Sequence, residues 1–185
     1  MKTKITTQPA DKNLAGGKTA KFTVEATGVG LTYQWYYRTS ADGTWKTSTL
    51  TGNKTATLSV PVTAARNGYH YRVMITNANG KYTYSSVATL TVKTTITTQP
   101  QSVTKAAGKT AKFTVEATGA GLTYQWYYRT SSTGTWKTTS LTGNKTATLS
   151  VTATTARNGY QYRVKITDAN GKVTYSSAAT LTVTG

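Results

Sequence analysis

Gly30-Leu31-Thr32-Tyr33-Gln34-Trp35-Tyr36-Tyr37-Arg38 is the stretch on which the fold turns. Leu31, Tyr33, Trp35 and Tyr37 alternate with Thr32, Gln34, Tyr36 and Arg38. A period of two puts the first set on one face of a strand and the second set on the other. The same nine residues return as Gly121–Arg129, 91 positions later. The repeat extends without a gap from Ile5–Val92 onto Ile96–Val183, and 19 of the 88 aligned positions differ. A unit of this length is a complete small domain, so residues 1–93 and 94–185 are read as two domains. Val92-Lys93-Thr94-Thr95-Ile96 joins them with no Gly, Ser or Pro. A short, stiff linker near 93–95 and an end-to-end arrangement are expected.

The same alternation marks other segments. Ala20, Phe22, Val24 and Ala26 share one phase, as do Ala56, Leu58 and Val60. Tyr71, Val73 and Ile75, and then Ala88, Leu90 and Val92, continue the pattern. Gly16-Gly17, Gly28-Val29-Gly30, Asp42-Gly43, Gly52-Asn53, Asn67-Gly68 and Asn79-Gly80 separate the runs. Asn-Gly tolerates positive φ at both central positions of a hairpin turn. The 44 threonines and only 3 prolines favour ladders over helices. No window carries a 3.6-residue apolar stripe, so an all-β, two-sheet sandwich is predicted.

The order of landmarks resembles an immunoglobulin-like domain. Val24 precedes Trp35, and Tyr71 comes two residues before Val73; the second copy repeats this with Val115, Trp126, Tyr162 and Val164. The resemblance implies that these residues form the core. It also implies that Tyr71 and Tyr162 make a tyrosine corner, each hydroxyl bonding to nearby backbone. Val24 and Val73 stand where many family members carry an inter-sheet disulfide, a bond that would contribute about 2–4 kcal/mol. The phrases Ile-Thr-Thr-Gln-Pro (5–9), Gly-Leu-Thr-Tyr-Gln-Trp (30–35), Gly-Asn-Lys-Thr-Ala-Thr-Leu-Ser-Val (52–60) and Ala-Arg-Asn-Gly-Tyr (65–69) are also similar to a narrower group. They resemble the Ig-like repeats of cell-surface and adhesin proteins of Gram-positive, gut Firmicutes-type bacteria. That resemblance implies two tandem immunoglobulin-like antiparallel β-sandwich domains, end to end. It also implies an extracellular setting on the cell surface or cell wall, with further repeats in a longer secreted parent.

The residues offer little to catalysis. The chain has no cysteine, which excludes disulfides, thiolate zinc sites and a Cys nucleophile. His70, the single histidine, is replaced by Gln161 in the second copy. Asp11, Glu25, Asp42, Glu116 and Asp168 are the only acids, and no two of one copy share a predicted loop or strand face. Paired-carboxylate chemistry is therefore not expected. Asp168-Ala169-Asn170-Gly171 could suggest calcium, but its counterpart Asn77-Ala78-Asn79-Gly80 lacks the acid, and a hairpin turn explains both. A Lys–Asn isopeptide bond needs a buried carboxyl group, and Glu25 and Glu116 fall on the outward phase. Asn53-Lys54-Thr55 and Asn144-Lys145-Thr146 match the N-glycosylation pattern through a Thr-rich turn. Catalytic, metal and cofactor residues are thus all assigned as none. Met1-Lys2-Thr3 leads straight into polar sequence without an apolar leader, as expected of a piece of a longer chain. No apolar run has the length of a membrane span, so membrane insertion is not expected.

Two features point to partners. The outward phase of two strands carries Tyr36, Arg38 and Arg72, and in the second copy Tyr127, Arg129 and Arg163. Aromatic and Arg side chains together are typical of interaction surfaces. His70 and Met74, and their counterparts Gln161 and Lys165, fall on the same face. The chain holds 22 Lys and Arg against 5 Asp and Glu, a formal net charge of +17. Such charge draws polyanions: anionic glycans, mucin, wall teichoic acid or another cell-wall polymer, or a host glycoprotein. The charge is spread evenly, +9 over 1–93 and +8 over 94–185, and no nucleic-acid motif is present, so specific nucleic-acid binding is not expected. The expected role is a non-catalytic stalk or spacer with weak, multivalent adhesion. The alternatives are a dedicated module for an anionic glycan or host glycoprotein, and accessory domains of a wall or glycan hydrolase.

Overall fold

Pro9 sits buried between two short strands that belong to different sheets. Proline has no N–H to give a ladder, so the first strand stops there and the chain crosses over. In this computed structural model, which describes residues 3–185, the first unit has ten strands. They are β1 (Lys4–Thr7), β2 (Lys12–Ala15), β3 (Thr19–Thr23), β4 (Glu25–Thr27), β5 (Thr32–Arg38), β6 (Lys46–Thr47), β7 (Thr57–Pro61), β8 (His70–Thr76), β9 (Tyr82–Tyr84) and β10 (Ala88–Lys93). The leader reading at Met1 and Lys2 lies outside the described residues. β11 (Thr95–Thr98) to β20 (Ala179–Thr184) repeat the same order. The chain divides into two units, Met1–Lys93 and Thr94–Gly185.

One layer is built from β1 on β4 and β3 on β7, all antiparallel. β3 and β4 are one strand interrupted at Val24, whose N–H donates to Ala56 O at 2.9 Å. The other layer runs β2-β10-β8-β5-β6. Its β2–β10 pair is parallel, an exception within an otherwise antiparallel sandwich. β9 and β10 both pair with β8, with a gap at residues 85–87. Ser85 fills that gap: its Oγ accepts from Val73 N at 3.0 Å and its own N–H donates to Val73 O at 2.9 Å. Gln8 Oε1 reaches the same gap and accepts from Ser86 N at 2.8 Å, so the Gln-Pro pair fixes the crossover to the opposite strand. The only helix among the described residues is one 3₁₀ turn per unit, Ala64–Arg66 and Thr155–Arg157.

The two layers meet over Trp35, Phe22, Leu58, Tyr71, Val73, Ile75 and Leu90, each at most 1% exposed. Val24 is also at 1%, so close packing around the Trp stands where a disulfide is absent. Phe22 and Tyr71 stack with centroids 4.8 Å apart. In the second unit Val115, Trp126, Tyr162 and Val164 occupy the equivalent core. The expected tyrosine corner does not form at Tyr71, whose hydroxyl has no hydrogen-bond partner in the protein. Its ring is held by Phe22 and the sheet, and the hydroxyl is closed off from solvent.

The turns also differ from expectation. No non-glycine residue has positive φ among the described residues, so the Asn of each Asn-Gly pair stays in an ordinary conformation. Within these pairs of the first unit it is the glycine, Gly68 or Gly80, that takes the left-handed region. Gly52 does so under tighter constraint: at φ +82°, a Cβ there would lie 2.0 Å from Thr57 O. This glycine lets the 52–55 loop fold over Trp35, whose indole N–H donates to Thr55 O at 2.9 Å. Gly17 has a similar φ of +80° but open space around it. Gly17→Ala should therefore cost only the left-handed penalty, about 1–2 kcal/mol. Gly52→Ala should cost clearly more and split urea unfolding into two transitions, the lower one reporting the first unit. Equal effects from the two substitutions would contradict this account.

Candidate functional site

β5 and β8 lie side by side in register, pairing Tyr36 with Arg72 and Arg38 with His70. Because Trp35 and Val73 point into the core, these four side chains point out of it. The structure thus brings Tyr36, Arg38 and Arg72 together, and β15 and β18 do the same for Tyr127, Arg129 and Arg163.

Two residues complete the face that periodicity did not reveal. Trp45 comes from the loop before β6 and packs against both arginines. The Arg38 guanidinium is 4.7 Å from its ring centroid and that of Arg72 is 4.2 Å. Tyr84 on β9 takes the other side of Arg72 at 4.1 Å. The order is Arg38, Trp45, Arg72, Tyr84, with Tyr36 and Tyr82 edge-on to Tyr84 at 6.2 and 5.6 Å. The second unit repeats the ladder with Arg129, Trp136, Arg163 and Tyr175 at 4.6, 4.3 and 4.5 Å. A three-residue strand and a loop are too short to show a period. The available signal was a second Trp, identically placed in both copies.

The guanidiniums are held by π faces rather than by acids. The Nε atoms of Arg38, Arg72 and Arg163 are buried without a hydrogen-bond partner. Arg129 differs, donating from Nε to Gln161 Oε1 at 2.7 Å. Gln161 also donates from Nε2 to Thr180 Oγ1 at 3.3 Å, and His70, in its place, meets the equivalent Thr89 Oγ1 through Nδ1 at 3.0 Å. Burial, and then the Arg38 charge, hold the His70 pKa below its usual 6.5 against a weaker upward pull from Asp11.

The acids lie elsewhere in fixed roles. Glu25 and Glu116 are exposed, each accepting from a Thr hydroxyl at 2.6 Å. Asp11 accepts from Thr89 N at 2.7 Å. Asp168 ties its own turn, accepting from Asn170 N at 2.9 Å, Lys172 N at 3.0 Å and Thr94 Oγ1 at 3.1 Å. Burial alone would raise its pKa. The N–H groups of Lys172 and Asn170, the Thr94 hydroxyl and the Lys172 charge outweigh that and lower it. Asn77 ties the equivalent turn with its Oδ1 and donates from Nδ2 to Thr3 Oγ1 at 3.1 Å. Asn53 Nδ2 is spent on Ser48 O at 2.8 Å, inside its loop. Among the described residues, no three His, Asp or Glu side chains gather as a metal site would require.

Residues 94–183 match the immunoglobulin I-set domain family. The chain is 35% identical over 172 residues to Endoglucanase C of Cellulomonas fimi, a match that covers 90% of this chain and 15% of that enzyme. It therefore spans a small part of the relative's length. Among solved structures, it resembles titin domains I67–I69 at 12% identity and a TM-score of 0.51, covering 99% of this chain and 66% of that one. The two-domain structure of Rst D1-D2 aligns over 100% of both chains at 14% identity and a TM-score of 0.45. These likenesses are of fold.

Two outcomes test the site. Trp45→Ala removes two stacks and should lower the stability of the first unit by about 1–2 kcal/mol, at 0.5–1 for each cation–π contact. A histidine with a depressed folded pKa adds stability that is fully present above the unfolded value of 6.5 and is lost as pH falls through the folded value. Thermal melts should show the first unit weakening as pH drops below 6.5, and His70→Gln should remove that dependence.

Proposed function

We propose that this chain, two tandem immunoglobulin-like β-sandwiches, forms non-catalytic structural modules of a larger extracellular protein. In this reading the modules space other parts of the parent and add weak, multivalent attraction to anionic surface polymers. One observation carries it: the Trp45 ring is engaged by two of the protein's own guanidiniums, Arg38 at 4.7 Å and Arg72 at 4.2 Å. An indole already engaged by two cations is a poor platform for a sugar ring to stack on. What remains outward is positive charge, which attracts broadly and yields to salt.

The endoglucanase relative favours a particular setting, accessory domains beside a catalytic domain of a glycan hydrolase. That reading is compatible with the first. It places the spacer within an enzyme that works on polysaccharide outside the cell, rather than on a cell-surface stalk. The gut-bacterial surface setting rests on the wording of the sequence alone.

Binding of the two-unit protein to mucin, sulfated and sialylated glycans, teichoic acid, cellulose and serum glycoproteins separates these roles. It should be measured at about 150 mM and about 500 mM salt, where screening lengths fall well below 10 Å. Spacer modules with diffuse charge should give unselective signals that vanish at the higher salt. Arg38→Ala with Arg72→Ala should then weaken them no more than Lys18→Ala with Lys54→Ala. Selective binding that survives salt and is abolished only by the arginine pair would replace the spacer with a dedicated recognition module. Salt-resistant retention on cellulose would support the accessory setting.

A further inference from the structure

The four Asn-Gly pairs of the chain have a chemistry that the proposed spacer role does not use. Asn67-Gly68 and Asn158-Gly159 precede β8 and β18; Asn79-Gly80 and Asn170-Gly171 join β8 to β9 and β18 to β19. In such a pair the glycine nitrogen can attack the asparagine side-chain amide, because glycine has no Cβ to stand in the way. In sequence the four pairs look alike. The fold treats them differently.

Two of the amides are held by the sheet. Asn67 Oδ1 accepts from Val92 N at 2.8 Å, and Asn158 Oδ1 accepts from Val183 N at 2.9 Å. Their glycines are tied to the same strands, Gly68 N donating to Leu90 O at 2.8 Å and Gly159 N to Leu181 O at 2.9 Å. Reaction there must break bonds to the last strand of the unit. Asn79 is exposed, and its side chain makes no hydrogen bond to the described residues. Gly80 N donates only within the turn, to Asn77 O at 2.9 Å, and an exposed turn opens locally at little cost. Asn170 is exposed too, with Gly171 N on Asp168 O at 2.9 Å. Its turn, however, is held by a carboxylate: Asp168 Oδ1 accepts from Asn170 N at 2.9 Å and Lys172 N at 3.0 Å. In the first unit the neutral amide of Asn77 makes those two bonds. Attack requires the glycine nitrogen to give up its proton, and a neighbouring negative charge opposes that.

We propose that Asn79 is a site of spontaneous deamidation in the folded protein, converting ahead of the other three Asn-Gly pairs. The Gly80 nitrogen bonds to Asn79 Cγ, the Cγ–Nδ2 bond breaks, and Nδ2 leaves as ammonia, carrying the proton that the glycine nitrogen lost. Water then opens the cyclic imide. Opening at the side-chain carbonyl gives aspartate; opening at the main-chain carbonyl gives isoaspartate, whose main chain is a methylene longer. Either product carries a negative charge that asparagine lacks. The longer form alters the turn that sets β9 against β8, where Tyr84 meets Arg72 at 4.1 Å, so the ladder of the first unit is the one this change reaches. The inference goes beyond the spacer role and does not rest on it.

The test incubates the folded two-unit protein at mildly alkaline pH and follows each pair by tryptic peptide mass spectrometry. The pairs fall in separate peptides, Asn67–Arg72, Val73–Lys81, Asn158–Arg163 and Ile166–Lys172, and fragment ions distinguish Asn79 from Asn77. The same chain unfolded in urea is the reference. In the folded protein Asn79 should convert about tenfold faster than Asn67 or Asn158, equivalent to about 1.36 kcal/mol of barrier, with Asn170 between them. In urea the gap should close. Asp168→Asn gives the second turn the residues of the first and should raise Asn170 to the rate of Asn79; Asn77→Asp should lower Asn79 to the rate of Asn170. Equal rates at the four pairs in the folded chain, or faster conversion at Asn67 or Asn158, would overturn the assignment. So would an Asn79 that stays intact while the unfolded chain converts. A gap that persists in urea would overturn the structural account, because sequence alone would then set it. An Asn170 rate unmoved by Asp168→Asn would overturn the part given to the carboxylate.

Discussion

The burial of Trp35 sets the geometry of everything outside it. Its side chain is closed off completely and its single polar atom is satisfied by Thr55 O at 2.9 Å. A strand has a side-chain period of two, so fixing Trp35 inward forces Tyr36 outward and carries Arg38 to the opposite side from Tyr37. The loop that supplies Thr55 also pairs with the strand backbone, Trp35 N donating to Asn53 O at 2.8 Å. One aromatic residue thereby locks a strand, a loop and the position of two surface groups. The strict glycine at 52 belongs to the same lock, since only its bare backbone lets the loop close.

The sequence was legible where the physics is local and repetitive. Alternation exposed the long strands β5, β8 and β10, and with them Val73 and the outward Arg38 and Arg72. Trp45 and Tyr84 were hidden because their neighbours come from other strands, and distance along the chain says nothing about such meetings. The same limit applies to Gln8, whose partner Ser86 lies 78 residues away. Tyr71 shows a different limit. Its burial followed from its phase, but the fate of its hydroxyl depends on atoms that a pattern of apolar and polar letters does not encode. The Asn-Gly turns were over-read, since a residue that tolerates positive φ need not adopt it when the glycine beside it will.

Comparison of the two copies separates what the fold needs from what it permits. Asp168 and Asn77 make the same two backbone bonds in their turns, yet one accepts from Thr94 and the other donates to Thr3. The Thr hydroxyl can play either part, so the exchange is tolerated. Asp11 and Ser102 similarly both accept from the N–H at the start of the last strand, at 2.7 and 2.9 Å. The Arg–Trp–Arg–Tyr stack admits no such exchange and is unchanged, because its contacts need a flat cation between two rings.

The parallel pairing of β2 with β10 has a mechanical meaning. These strands lie near the beginning and the end of the first unit, and four residue pairs join them, from Leu90 with Lys12 to Lys93 with Ala15. Tension applied at the two ends pulls parallel neighbours past each other along their length. The bonds then share the load and must rupture together, whereas a hairpin pulled from its open end gives way one bond at a time. β12 and β20 repeat the arrangement, joining Val103 with Leu181 through Ala106 with Thr184. Each unit is thus wired as a shear clamp.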